Sequence, residues 1–308
     1  MERYDKLFVF FALLIIGYFL KRAKYLKEND NEALIRIIFN ITLPAVILYS
    51  FNGFRFSAEH LAIPIISLVY PLFVYVIIRY LLFPKFFNRE NTLAKISLIG
   101  YNIGLFAYPI IEILIGTDAL RYTVLFEIGN SLVIFVFLYM ISYMTQLGKF
   151  SIRNVPIKKI LTKLFTFPPF VCVILAFALA GLEINLPNGV VSVLKATSSA
   201  NIILFSLVLG MTLDFDIKKE DLKFVMKILF LRYTYGIIGI IVFFLFLPIS
   251  LMLKTILSIC LLLPVPMATL PYSIEFGFDT KRASALVNIS NIISLVLVFV
   301  LAIILKLI

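Results

Sequence analysis

The chain has 308 residues, of which 62% are hydrophobic and 15% charged, with a mean hydropathy of +1.06; a soluble globular domain is about 45–50% apolar and about 25% charged. The formal net charge of +11 needs no nucleic-acid partner, because its Lys and Arg residues fall in short connections between apolar blocks, as at a cytoplasmic lipid surface. A single His, with no His-Glu-x-x-His and no paired Asp-rich phosphate motif, argues against a membrane-embedded enzyme.

The apolar blocks predict ten spans in chain order, at 5–23, 33–53, 61–82, 94–115, 120–143, 165–183, 191–213, 225–248, 253–276 and 283–306. Blocks of about 17–25 residues suit a hydrocarbon core of about 30 Å. Such spans are helical because a helix closes its own backbone hydrogen bonds, and the alternation of a membrane β-barrel is absent. The first block is followed by Lys21-Arg22-Ala23-Lys24 and not by a small-residue cleavage site, so it is a span and not a signal peptide. Cys172 and Cys260 both lie within apolar spans and read as small core residues, not as a disulfide or metal pair.

Charge sets the direction. The odd-numbered connections carry 18 Lys and Arg, among them Lys21, Lys85, Lys159, Lys218 and Lys281, against 7 in the even connections and the termini. Arg36, Arg79 and Arg232 lie inside spans. The expectation is a multi-pass protein of the cell membrane with both termini outside.

An internal duplication follows at a shift of 161 residues. It superposes Asn40–Leu43 on Asn201–Leu204, Leu48 on Leu209, Phe54 on Phe215, Glu59 on Glu220 and Leu61 on Leu222. The same shift places Gly116, Asp118 and Arg121 on Gly277, Asp279 and Arg282, and Asn130 on Asn291. Five spans per copy make the second copy enter the membrane inverted. The predicted fold is all-α and integral to the membrane: ten transmembrane helices as two inverted five-helix repeats, 1–146 and 165–308, joined by a cytoplasmic connection at 147–164. Secondary transporters are often built so, with substrate held near the midplane between the repeats.

The fourth and ninth spans occupy matching places, and both are interrupted, one by Gly100, Asn102, Gly104 and Pro109, the other by Pro264, Pro266 and Pro271. Proline removes an intrahelical hydrogen bond and glycine loosens the chain. The freed backbone groups must be buried or face a polar cavity, and a half-helix N-terminus offers partial positive charge to an anion. The expected substrate-binding residues are therefore Tyr101, Asn102, Gly104, Pro109, Pro266, Met267 and Pro271, with Asn130 and Asn291 lining the same cavity. Glu127, one helical turn from Asn130, is the proton-coupling candidate, because a carboxylate inside a membrane is costly and often marks an ion or proton path. The equivalents of Glu127 and Asn130 in the second copy are Asn288 and Asn291, and Asn40 and Asn201 match in the second and seventh spans; helix packing accounts for such asparagines as well as ligand contact does. Glu112 and Glu275 are expected at the interface, and His60 in an outer loop without a specific role.

The stretch Asn102-Ile-Gly104-Leu-Phe-Ala-Tyr-Pro109 resembles the Asn-Thr-Gly-Phe-x-Gly-x-Pro stretch of the auxin efflux carrier family of membrane transporters, which includes PIN-like and malate permease-like members. Ala107 stands for the second glycine and Ile103 for the threonine. Pro266, Pro271, Gly17, the run from Phe39 to Pro44 and Leu209-Gly210-Met211 also look like family positions. The resemblance implies crossing helices 4 and 9, a carboxylate-bearing anion near the crossing, and elevator-like motion of helices 3–5 and 8–10 against 1, 2, 6 and 7.

The expected function is secondary transport of a small organic anion by alternating access; the alternative is a membrane receptor or regulatory protein that binds such a ligand without moving it. The expected partners are that anion and membrane lipid, with no nucleic acid, cofactor or metal. The sequence leaves open the substrate, its direction, H⁺ or Na⁺ coupling, and whether two copies form a homodimer.

Overall fold

The structure, a computed structural model, describes residues 3–82, 91–147, 155–213 and 219–307, and the regular structure among the described residues is all helical, with no strand. Phe215 of the duplication and the basic residues Lys85, Arg89, Lys149, Arg153 and Lys218 lie outside the described residues, as does much of the connection expected at 147–164.

In chain order the helices are α1 (Arg3–Arg22), α2 (Asn29–Phe51), α3 (Glu59–Leu82), α4 (Thr92–Leu98), α5 (Ile103–Leu114), α6 (Thr117–Leu147), α7 (Ile157–Phe165), α8 (Pro168–Gly181), α9 (Asn188–Thr212), α10 (Lys219–Phe246), α11 (Leu251–Leu261), α12 (Thr269–Phe276) and α13 (Thr280–Ile304). Six helices, α2, α3, α6, α9, α10 and α13, are long and apolar enough to cross a membrane, and eight spans result if the bent pairs α4–α5 and α7–α8 are each counted as one. The chain is therefore a multi-pass α-helical membrane protein. Helix α1 has 20 residues, with Asp5 in its first turn and Lys21 and Arg22 in its last, a placement that complements the helix dipole. Large apolar side chains point outward, among them Phe8, Ile65, Phe73, Val193, Phe230 and Ile303, where lipid and not water satisfies them.

Some helices pair across the two halves of the chain, and others pair within one half. Helix α1 lies against α9 and α8 against α2; α3 lies against α6 and α10 against α13; α2 and α9 meet each other. Close backbone approach at the α1–α9 crossing requires glycine on both sides. A Cβ on Gly17 would collide with the Leu207 carbonyl, and one on Gly210 with the Leu14 carbonyl. Gly116 and Gly277 both take positive φ, +120° and +72°, and each is followed by an ion pair three residues apart, Asp118 with Arg121 and Asp279 with Arg282.

The two asparagines matched by the duplication part company. Asn201 is buried and accepts a 2.6 Å bond from Thr42, whereas Asn40 is exposed and bonds the Arg36 carbonyl of its own helix. His60 caps α3, its Nδ1 accepting from the Ser57 N–H at 3.0 Å, and stacks near Phe54 and Tyr122. Residues 157–164, expected in the connection, and Phe165, expected to open the sixth span, together form the amphipathic helix α7, bent 70° from α8. From it Lys159 and Lys163 reach Glu275 of α12 at 2.9 and 2.5 Å.

Candidate functional site: two helix breaks and a cavity

The first break separates α4 from α5, which meet at 49°. Gly100 takes φ +78°, a left-handed conformation that costs a residue with a Cβ about 1–2 kcal/mol. Asn102 caps α5, its Oδ1 accepting from the Leu105 N–H at 3.2 Å. Asn130 of α6 then supplies what the interrupted helix lacks. Its Oδ1 accepts the Tyr101 N–H at 2.8 Å, and its Nδ2 donates to the Tyr101 carbonyl at 3.0 Å. The same Nδ2 lies 3.1 Å from Glu127 Oε2, and Ser131 donates to Glu127 Oε1 at 3.1 Å. A buried main-chain pair is thus satisfied by one side-chain amide, as the membrane interior demands.

The second break runs from Leu262 to Ala268, between α11 and α12. Pro264 and Pro266 lie in it and have no N–H to satisfy. The Val265 N–H between them donates to Ser290 Oγ at 3.1 Å, and Thr269 restarts the helix by donating to the Pro266 carbonyl at 3.0 Å. The two breaks touch directly, through the Asn102 N–H and the Pro264 carbonyl at 3.1 Å.

Beside this contact lies a cavity of about 290 Å³, lined by Phe39, Leu43, Tyr101, Asn102, Ile103, Gly104, Glu127, Ile134, Phe135, Phe167, Pro169, Met267, Ala268 and Pro271. It is close to the lower end of ligand pockets, which run about 300–1,000 Å³. Phe167 stands 5.4 Å from Phe39 and 5.1 Å from Phe135, so one wall is a run of aromatic faces. Glu127 is the one charged type among the lining residues. A second cavity of about 280 Å³, lined by Lys21, Lys27, Asn31, Glu32 and Asn288 among others, shares Met267 with the first.

Of the residues expected from sequence, Tyr101, Asn102, Gly104, Met267, Pro271 and Glu127 line the one cavity. Pro109, Pro266, Asn130 and Asn291 are not among its lining residues. Pro109 sits in the first turn of the helical stretch Tyr108–Leu114, Pro266 packs near Gly100, and Asn130 holds backbone. Asn291 is buried with Oδ1 unpartnered. Asn288 belongs to the second cavity. No cluster of three or more His, Cys, Asp or Glu able to hold a metal ion occurs among the described residues.

Arg232 of α10 is the residue whose part sequence reasoning did not find. It is fully buried, and its guanidinium reaches carbonyl oxygens of both breaks. Tyr235, one turn on, donates to the Leu98 carbonyl at 2.5 Å. A lone arginine inside an apolar run was the available signal, because such a charge is retained only where the fold gives it partners.

Paired helix breaks beside a cavity in a multi-pass helical protein define a membrane transport protein, and comparison with known proteins agrees. The chain belongs to the family described as membrane transport protein, the auxin efflux carrier-like family, whose profile matches residues 4–302. It is also similar to the uncharacterized transporter MJ1031 of Methanocaldococcus jannaschii, at 26% identity over 316 residues, with 96% of each chain covered.

Proposed function

We propose that the chain is a secondary transporter that carries a small organic anion, such as a carboxylate, across the cell membrane by alternating access. The observation that carries this is the direct contact of two interrupted helices, Asn102 to Pro264, beside a cavity of about 290 Å³. The N-terminal ends of α5 and α12 begin at this cavity, at Asn102 and Ala268, and half-helix dipoles place partial positive charge there. The aromatic wall favours a carboxylate with an apolar body.

We read the fold as ten spans in two inverted repeats, with α1 as the first span and α11 with α12 as the interrupted ninth. The matched helix pairings, α1–α9 with α8–α2 and α3–α6 with α10–α13, and the glycine and ion-pair motif repeated at Gly116 and Gly277 support it. The excess of Lys and Arg in the odd-numbered connections supports termini that face outside.

Counterflow in proteoliposomes with labelled malate and indole-3-acetate tests the function. The expected result is flux of indole-3-acetate in the wild type and its loss in Asn102→Ala that still elutes as folded protein. Binding without counterflow would instead assign a receptor. If transport is coupled to protons through Glu127, Glu127→Gln flattens the dependence of uptake on pH, since the amide does not titrate; an unchanged pH profile removes Glu127 from coupling.

A further inference from the structure

Arg232 makes six hydrogen bonds, and all of them end on main-chain carbonyl oxygens. Nη1 donates to Ser97 at 3.2 Å and Leu98 at 3.1 Å; Nη2 donates to Gly100 at 2.6 Å and to Leu263 and Pro264 at 3.0 Å each; Nε donates to Leu263 at 3.3 Å. Ser97, Leu98 and Gly100 belong to the end of α4 and the first break, Leu263 and Pro264 to the second. One guanidinium therefore spans two segments more than 160 residues apart in sequence. Its carbon lies 4.9 Å from the ring centroid of Tyr101, whose residue lines the cavity.

A charge buried at this depth costs several kcal/mol unless it is fully hydrogen-bonded. Here the compensation comes from the carbonyl ends of α4 and α11, where two helix dipoles present their negative poles. These are dipoles, and no carboxylate joins them within hydrogen-bonding reach. The guanidinium thus stays a positive charge behind a cavity whose lining carries one acidic residue, Glu127, among mostly apolar side chains. The planar fork of five donors suits this bridging; a lysine ammonium has three donors and acts as a point charge.

We propose that Arg232 is the positioning residue of the site: its guanidinium clamps the two helix breaks into one unit, and its charge makes the cavity select an anion. The clamp stands on the hydrogen bonds alone, and the selectivity rests on the anion-transport function proposed above.

Amide hydrogen exchange and ligand binding on detergent-solubilised wild type, Arg232→Lys and Arg232→Gln separate the two parts. The probes are indole-3-acetate and its neutral isostere indole-3-acetamide. In Arg232→Gln the amides of Tyr101, Asn102 and Val265 lose protection together, and indole-3-acetate binding weakens about tenfold or more while indole-3-acetamide binding holds. Arg232→Lys keeps the preference for the acid but not the joint protection. Protection lost at one break only, or retained at both, overturns the clamp; equal weakening of acid and amide overturns the selectivity. Should neither variant fold, the wild type decides: opening of Asn102 and Val265 with one common denaturant dependence supports the clamp, and independent opening overturns it. A wild type that binds neither probe counts against the anion function and the selectivity that rests on it, while exchange still judges the clamp.

Discussion

The two breaks interrupt their helices by different chemistry. The first is made by conformational freedom, with Gly100 at φ +78°, and is then repaired from outside by Asn130, which bonds both polar groups of Tyr101. The second is made by missing donors: Pro264 and Pro266 have no N–H, and one hydroxyl, that of Ser290, serves the single N–H between them. A break built from glycine leaves main-chain groups that something must satisfy. A break built from proline leaves fewer. The first should therefore depend heavily on its partner side chain and the second only moderately on its own.

Substitutions sharpen that contrast, read as shifts in melting temperature of purified protein in detergent. Asn130→Ala strips the Tyr101 N–H of its partner, leaves the Tyr101 carbonyl with the Ile103 N–H alone and takes a donor from Glu127, and is expected to cost about 2–4 kcal/mol, since each buried unsatisfied group costs about 1–3 kcal/mol. Ser290→Ala orphans the Val265 N–H alone and should cost about 1–2 kcal/mol. Pro266→Ala adds a main-chain N–H to the buried second break and should likewise cost about 1–2 kcal/mol, while Pro264 and the Ser290 bond keep the break itself. Equal losses for Asn130→Ala and Ser290→Ala would erase the distinction between the breaks.

Much of this was legible in the sequence, and for physical reasons. Membrane spans declare themselves by apolar length, and glycine and proline punctuate helices in lipid as they do in water. The breaks at Gly100–Asn102 and Pro264–Pro266 could be located that way. So could Glu127, because a carboxylate stands out within an apolar run, and it does line the cavity. Arg232 stood out equally, yet its part could not be read. Its partners are carbonyls such as Gly100, 132 residues away, and every residue has a carbonyl. The asparagines divide on the same ground: residue type marks Asn40 and Asn201 alike, but only the packing of α9 buries Asn201 against Thr42 while Asn40 stays exposed. Asn130 was expected in the cavity wall and instead holds the backbone that forms that wall, a distinction fixed by side-chain direction. Of the aromatic wall, Phe135 and Phe167 gave no signal among 31 phenylalanines.

The central claim is that substrate occupies the cavity beside the crossing. Ala268 lines that cavity with a side chain small enough to enlarge, so Ala268→Phe would fill it. The account predicts that reconstituted Ala268→Phe remains folded and loses indole-3-acetate counterflow. Counterflow at the wild-type rate with the same half-saturating concentration would contradict it and move the substrate path elsewhere.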